Sequence, residues 1–270
     1  MIDIWREKVS VRFKDVDRSG RLTLEGIFGF FQEAATSHAE DLGVGLSAIK
    51  KTGQAWVLSR FSLFVEYRPA YEDVVQISTW PRQWEKLFAL RDYEIRDRND
   101  RVIVRGRAGW LVLDIEKRRP LRVESLINSI PPNEGIDAFP RSGNSALPAG
   151  LEEKEKLEKI TTRTACYSDV DYYGHVNNAR YIQWMQDVTD MDILTRADQE
   201  RLDINYLSEV KPGEIVELWM APFDTVPDAA NGETGAAVYP SAPGPAFAYE
   251  GKRPGSPNPV FRAELRIGNN

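Results

Sequence analysis

The chain has 270 residues, 42% hydrophobic and 28% charged, with a formal net charge of −6. That is a globular composition, long enough for one large domain or two of roughly 150 residues, and it excludes a disordered, collagenous or coiled-coil chain. One Cys and two His exclude a disulfide framework and a cysteine zinc or iron–sulfur cluster, so neither metal nor other cofactor is expected.

A strand opens the chain and runs into Val11-Arg12-Phe13. Leu24, Ile27, Phe28, Phe31, Ala35 and Leu42 then recur at three- and four-residue spacings, which predicts an amphipathic helix. Thr23 is placed to cap its start and Gly43 to end it. Aromatic and β-branched residues predict strands at Trp56–Val65, Val74–Trp80, Leu87–Arg96 and Val102–Ile115. Asp97–Asp100 reads as a hairpin turn.

Past residue 122 the pattern changes. Residues 123–156 hold Pro131-Pro132, Pro140, Gly143 and the charged run Glu152–Lys156, a linker with room for one short solvated helix. A strand is expected up to Tyr167, then a helix over Asn177–Ile193 with Tyr181, Ile182, Met185 and Val188 inward. Strands are predicted at Leu202–Leu207, Glu214–Met220, Phe247–Arg253 and Val260–Ile267. Residues 224–259 are rich in Pro, Gly and Ala, and a mobile hairpin excursion without a packed core is expected there.

The two halves repeat. Asp15, Val16, Asp17 and Gly20 recur as Asp169, Val170, Asp171 and Gly174, all at an offset of 154 (171 − 17). Each motif precedes a helix and then a set of strands, the signature of duplication. The organisation is therefore an N-terminal half over 1–122, a linker over 123–156 and a C-terminal half over 157–270. In each, one antiparallel sheet wraps one long helix, an α+β double hotdog arranged as an internal pseudo-dimer.

Asp169-Val170-Asp171-Tyr172-Tyr173-Gly174-His175-Val176-Asn177-Asn178 looks like the active-site segment of hotdog thioesterases. Ala55–Arg60, Thr79–Arg82, Leu87–Asp92 and Trp110–Asp114 narrow the match, and the chain resembles the bacterial acyl-acyl-carrier-protein (acyl-ACP) thioesterases. The resemblance implies hydrolysis of fatty acyl-ACP to free fatty acid, with catalysis in the C-terminal half. It implies catalytic roles for Asp171, His175 and Glu209, and an acyl pocket in the N-terminal half, along Ile27, Phe28, Phe31 and Ala35. Tyr173 stands where plant members have Asn, and Val210 stands where a Cys often follows the Glu, which argues against a thiol nucleophile. An acyl-CoA thioesterase and a non-hydrolytic acyl-binding hotdog protein are the alternatives.

The same residues have a physical reading. A helix start presents unpaired N–H groups with partial positive charge. Gly174 allows close backbone approach, so the amides around Gly174, His175, Val176 and Asn177 are candidate oxyanion donors. Asp171 or Glu209 could activate water, or a carboxylate could attack through an anhydride; the residues leave that choice open. Asn177 and Asn178 read as helix caps, His38 as a satisfied core histidine, Cys166 as a small core residue and Asp17 as a turn relic. The first copy has Arg21 where the second has His175, so one complete site per chain is expected.

An acidic carrier protein calls for a basic patch, and Lys117, Arg118, Arg119 and Arg122 form the densest one, with Arg101, Arg105 and Arg107 close by in sequence. The net acidity speaks against nucleic acid as a partner. No apolar run approaches the ~20 residues that span a bilayer. Met1–Lys8 lacks the basic-then-apolar order of a secretory signal. The expectation is a cytoplasmic protein without membrane insertion, monomeric or homodimeric.

Overall fold

Thr23 begins the long helix as expected: its hydroxyl accepts the Gly26 N–H, and α1 runs Leu24–Asp41. It ends at Gly43, whose φ of 70° is the left-handed conformation that glycine tolerates without strain. Ile27, Phe30, Phe31 and Ala34 turn inward, almost fully buried. The computed structural model describes residues 3–117, 119–121, 130, 133, 135–139, 152, 156–223 and 244–268. Within them no helix is long and apolar enough to cross a membrane.

The N-terminal strands are β1 (Trp5–Ser10), β2 (Gln54–Val65), β3 (Val74–Glu85), β4 (Phe88–Arg96), β5 (Val102–Asp114) and the two-residue β6 (Arg119–Pro120). A short helix, α2 (Leu46–Thr52), precedes β2. The C-terminal half supplies β7 (Glu158–Thr164), β8 (Gln199–Tyr206), β9 (Ile215–Pro222), β10 (Ala246–Lys252) and β11 (Pro259–Gly268). All are joined in one eleven-stranded antiparallel sheet, ordered β1-β3-β4-β5-β2-β8-β11-β10-β9-β7 with β6 on β5. The halves meet where β2 pairs β8, from Arg60↔Asn205 to Val65↔Glu200. This is the expected double hotdog. α1 packs on β1 and β3, α3 (Asn178–Val188) packs on β9, and the two helices touch.

The first turn of α1 meets α3: the Glu25 N–H donates to Gln186 Oε1 at 3.2 Å, and the Glu25 carboxylate lies 3.8 Å from Arg180. Four expectations are revised. The helix predicted over 177–193 breaks at Thr189, and Asp190 caps a separate α4 (Met191–Arg196) by accepting from Asp192 and Ile193 N–H. Cys166 is exposed, and Ala165 takes the buried place beside it. Residues 224–243 lie outside the described residues, but in the rest of the expected excursion the strand predicted at Phe247–Arg253 forms, and 253–258 make a turn into β11. There β10 sits between β9 and β11 with Tyr249 buried.

The fourth revision concerns the linker. Residues 136–139 clasp the outer face of the N-terminal sheet. Arg107 chelates Asp92 at 2.6 and 2.7 Å, Asp92 accepts the Ala138 N–H at 2.9 Å, and Phe139 lies over the guanidinium at 5.0 Å. Phe64, Trp80, Ala138 and Phe139 close a second small core above this ion pair. Phe139→Ala is expected to cost about 3 kcal/mol, since it removes an aromatic lid and wets a buried ion pair. Urea unfolding monitored by Trp fluorescence measures it.

Candidate active site

The two copies of the motif fold bond for bond alike. In the first, Asp17 N–H donates to Arg21 O and Gly20 N–H to Asp17 O; in the second, Asp171 N–H donates to His175 O and Gly174 N–H to Asp171 O. Both glycines have φ near +80° (74° and 80°), which explains why Gly recurs there. The likeness continues beyond the helices at a shorter offset of 141 (210 − 69). Leu22 N–H donates to Pro69 O and Val176 N–H to Val210 O, each with the loop held against the next strand start. Glu72 and Gly213 both take positive φ.

That correspondence places Arg68 where the second copy has Glu209. In the C-terminal half, His175 Nε2 lies 3.2 Å from Glu209 Oε2, with the histidine half-buried and the carboxylate exposed. In the N-terminal half, buried Arg68 holds Asp17 Oδ2 at 2.8 Å, donates to Leu194 O and approaches Glu200 Oε2 at 3.2 Å. Burial works against the Asp17 charge, but hydrogen bonds from Ser19 and the Arg68 guanidinium hold its carboxyl below the usual range. Asp17 is thus no relic: it anchors an ion pair that fills the first copy's site.

Among the described residues, no arginine pairs with Asp171. Its Oδ1 accepts the Tyr173 N–H at 2.9 Å, as Asp17 Oδ1 accepts that of Ser19. Residue 173 serves the loop through its backbone, so Tyr can stand there in place of Asn. The Tyr173 phenol is half exposed, and its pKa is raised by burial and by the carboxylates of Asp171 and Glu40.

The amides proposed as oxyanion donors are mostly engaged. Gly174, Val176 and Asn177 N–H bond Asp171 O, Val210 O and Asp169 O at 3.0, 2.8 and 2.8 Å. Asn177 caps α3 by accepting the Ala179 N–H. Among the described residues, this leaves the N–H of His175 and that of Asn178, at the first position of α3, as the donors open to a substrate oxygen.

Ile27, Phe28, Phe31 and Ala35 are all buried in the main core, Phe28 and Phe31 against Phe61 and Phe31 also against Tyr93 at 4.8 Å. His38 is fully buried between Asp3 (3.3 Å) and Arg91 (3.1 Å); burial and the Arg91 charge lower its pKa. Of the basic patch, Lys117 is tied to Asp114 and Arg119 is exposed, while Arg118 and Arg122 lie outside the described residues. Arg101 and Arg105 pair with Glu66, and Arg107 is buried.

Sequence reasoning missed Arg253. Its guanidinium donates to Glu209 O, Ser208 Oγ and Glu214, bracing the turn that presents Glu209. No motif marks it. Arg68 was legible, had the repeat been followed past the helices.

Residues 3–130 match the acyl-ACP thioesterase N-terminal domain family and residues 152–236 the C-terminal domain family. The chain belongs to the acyl-ACP thioesterase family. Among relatives, it is 26% identical over 227 residues to oleoyl-acyl carrier protein thioesterase 2, chloroplastic, of Arabidopsis thaliana, covering 79% of this chain and 61% of that one. To palmitoyl-acyl carrier protein thioesterase, chloroplastic, of the same plant it is 28% identical, covering 76% and 52%. The chain therefore spans little more than half the length of the curated relatives it matches. Solved acyl-ACP thioesterase structures share its fold from end to end. One, from Bacteroides thetaiotaomicron, has a TM-score of 0.74 at 23% identity, covering 98% of this chain and 97% of that one. The 12:0-ACP thioesterase from Umbellularia californica has 0.76 at 17%, covering 97% and 96%.

Proposed function

We propose that the protein hydrolyses the thioester of fatty acyl-ACP, releasing free fatty acid and so ending chain elongation. The observation that carries this reading is the His175–Glu209 contact beside an anchored Asp171 at a helix start, in one copy of the repeat only. The free oxygen of Asp171 takes a proton from water as the water oxygen attacks the thioester carbon. The N–H groups of His175 and Asn178 receive the oxyanion; one such donor is worth ~10²–10³ in rate. Collapse breaks the carbon–sulfur bond, and His175, oriented by Glu209, protonates the departing thiolate. The acyl chain is assigned to the N-terminal half along Ile27, Phe28, Phe31 and Ala35, side chains that pack in the main core and must part to admit it. Lys117 and Arg119, at the β5–β6 turn, meet the acidic carrier.

A thiol-release assay across acyl chain lengths, on carrier-protein and CoA thioesters, tests this. The expected result is release from both, with kcat/KM at least about tenfold higher for the carrier protein at low salt, because complementary charge raises the encounter rate. A preference for CoA overturns the carrier. Binding of acyl chains without thiol release overturns hydrolysis.

A further inference from the structure

The His175–Glu209 contact is too exposed to hold itself together. The Glu209 side chain is 55% exposed, and an ion pair in water contributes little while ordering two side chains. His175 and Glu209 also lie on separate pieces of chain, the loop that runs into α3 and the turn after β8. What fixes the distance between them is the backbone beneath.

That turn is pinned at each of its residues. Leu207 and Ser208 N–H both donate to Val260 O, at 2.9 and 3.1 Å. Val260 is the extra residue of a bulge between Gly251↔Phe261 and Lys252↔Pro259, a device that re-aims groups at a strand end. Arg253, just past the bulge, donates to Glu209 O and to Glu214, which in turn accepts the Lys211 N–H at 2.9 Å. Val210 O accepts the Val176 N–H at 2.8 Å, and the Val210 N–H donates to the Tyr181 hydroxyl.

The last two bonds act together. Val176 follows His175, and Tyr181 lies in the first turn of α3. Both therefore come from the piece that carries the histidine, and both end on the residue next to Glu209. One hydrogen bond between two pieces of chain leaves rotation about it; a second, to the other polar group of the same residue, removes that freedom. The Tyr181 ring is held independently of its hydroxyl. It is buried against Tyr206 at 5.6 Å and against Trp184 and Phe261 at 5.3 Å. The Tyr206 hydroxyl donates to Asn178 O at 3.1 Å, tying the first residue of α3 to β8.

We propose that Tyr181 is a positioning residue: its hydroxyl, together with Arg253, mounts the Glu209 turn so that the carboxylate stands at His175. The proposal rests on the thioesterase reading above and adds the residues that set its acid–base pair. Proton delivery to the departing thiolate needs an aimed imidazole, and a misplacement of about 1 Å is costly in rate.

Tyr181→Phe tests this, since the ring keeps its packing and only the hydroxyl goes. On acyl-ACP its kcat should fall about tenfold with KM within about twofold. Arg253→Met should fall alike and Arg253→Lys less, because lysine keeps a charged donor for the pin. In a Glu209→Ala background, Tyr181→Phe should cost less than about twofold more, because the group it positions is gone. Tyr249→Phe removes an equally buried hydroxyl, bonded to Thr189 at 2.7 Å, and should leave kcat within about twofold. Additive losses in the double variant, an equal loss in Tyr249→Phe, or an unchanged kcat in Tyr181→Phe would each overturn the proposal. Imidazole nitrogen NMR reads the same mount without substrate. The chain has two histidines, and at about pH 8.5, above the ordinary titration range of histidine, His175 should show one protonated and one bare ring nitrogen. In Tyr181→Phe the two signals should average. If the parent protein hydrolyses no thioester, the enzyme reading falls and the spectra alone decide the mount; identical spectra end it.

Discussion

Asp171→Asn is expected to lower kcat on acyl-ACP by about 10²–10⁴-fold, the usual worth of a positioned general base, without loss of folding. The substitution is chosen because Asn keeps an Oδ1 that can accept the Tyr173 N–H, so the loop retains its shape and only basicity is removed. His175→Ala should lose activity on a similar scale, and Glu209→Gln less, because it orients the histidine from an exposed position. Tyr173→Ala should leave kcat within a few-fold, since its contribution is a backbone N–H that Ala retains. The decisive control is Asp17→Asn. Its carboxylate sits in the same turn but is closed off by Arg68, so kcat should not change. Equal losses at Asp17 and Asp171 would end the argument that one copy of the repeat is catalytic.

The elements legible in the sequence were those whose signals are local. Thr23 and Gly43 bracket α1 because capping and positive φ are chemical demands that particular residues meet. The strands followed from β-branched and aromatic runs. What escaped depends on partners distant in sequence. The apolar period continues through Thr189, but its hydroxyl bonds Met185 O and the buried Tyr249 hydroxyl, and Asp190 starts a new helix. β10 was legible as a strand at Phe247–Arg253, but not how tightly it packs between β9 and β11. A Cβ on Gly251 would meet the Phe261 ring at 2.3 Å, so a residue suggestive of a loop is there for packing. The His175–Glu209 pair was legible only through family resemblance, because 34 positions separate the two (209 − 175). Which amides stay open at the helix start could not be read at all, since Val210 O, from a distant turn, takes the Val176 N–H.

The filled site in the N-terminal half should matter most for stability. Arg68 is buried and is the cation shared by Asp17 and Glu200, so Arg68→Met is expected to destabilise the fold by about 3–5 kcal/mol, the cost of stranding buried charge. Glu200 should behave in the opposite sense. It is 1% exposed, its contact with Arg68 lacks hydrogen-bond geometry, and burial pushes its pKa up to about 7. An unfolded glutamate titrates near 4.5, so between that pH and 7 the folded protein binds more protons than the unfolded chain. Stability contributed by Glu200 is therefore full below about pH 4.5 and is lost as pH rises through 7. The size of that loss is of the order of 2–3 kcal/mol. Glu200→Gln keeps the shape and removes the titration, leaving Arg68 balanced by Asp17. Urea unfolding of both proteins at pH 5.5 and pH 8 isolates the effect, because every other group is shared. The stability of Glu200→Gln relative to the parent should rise from the lower pH to the higher. A difference that stays constant would mean that Glu200 is already charged in the folded protein at pH 5.5, with Arg68 alone sufficient to hold it.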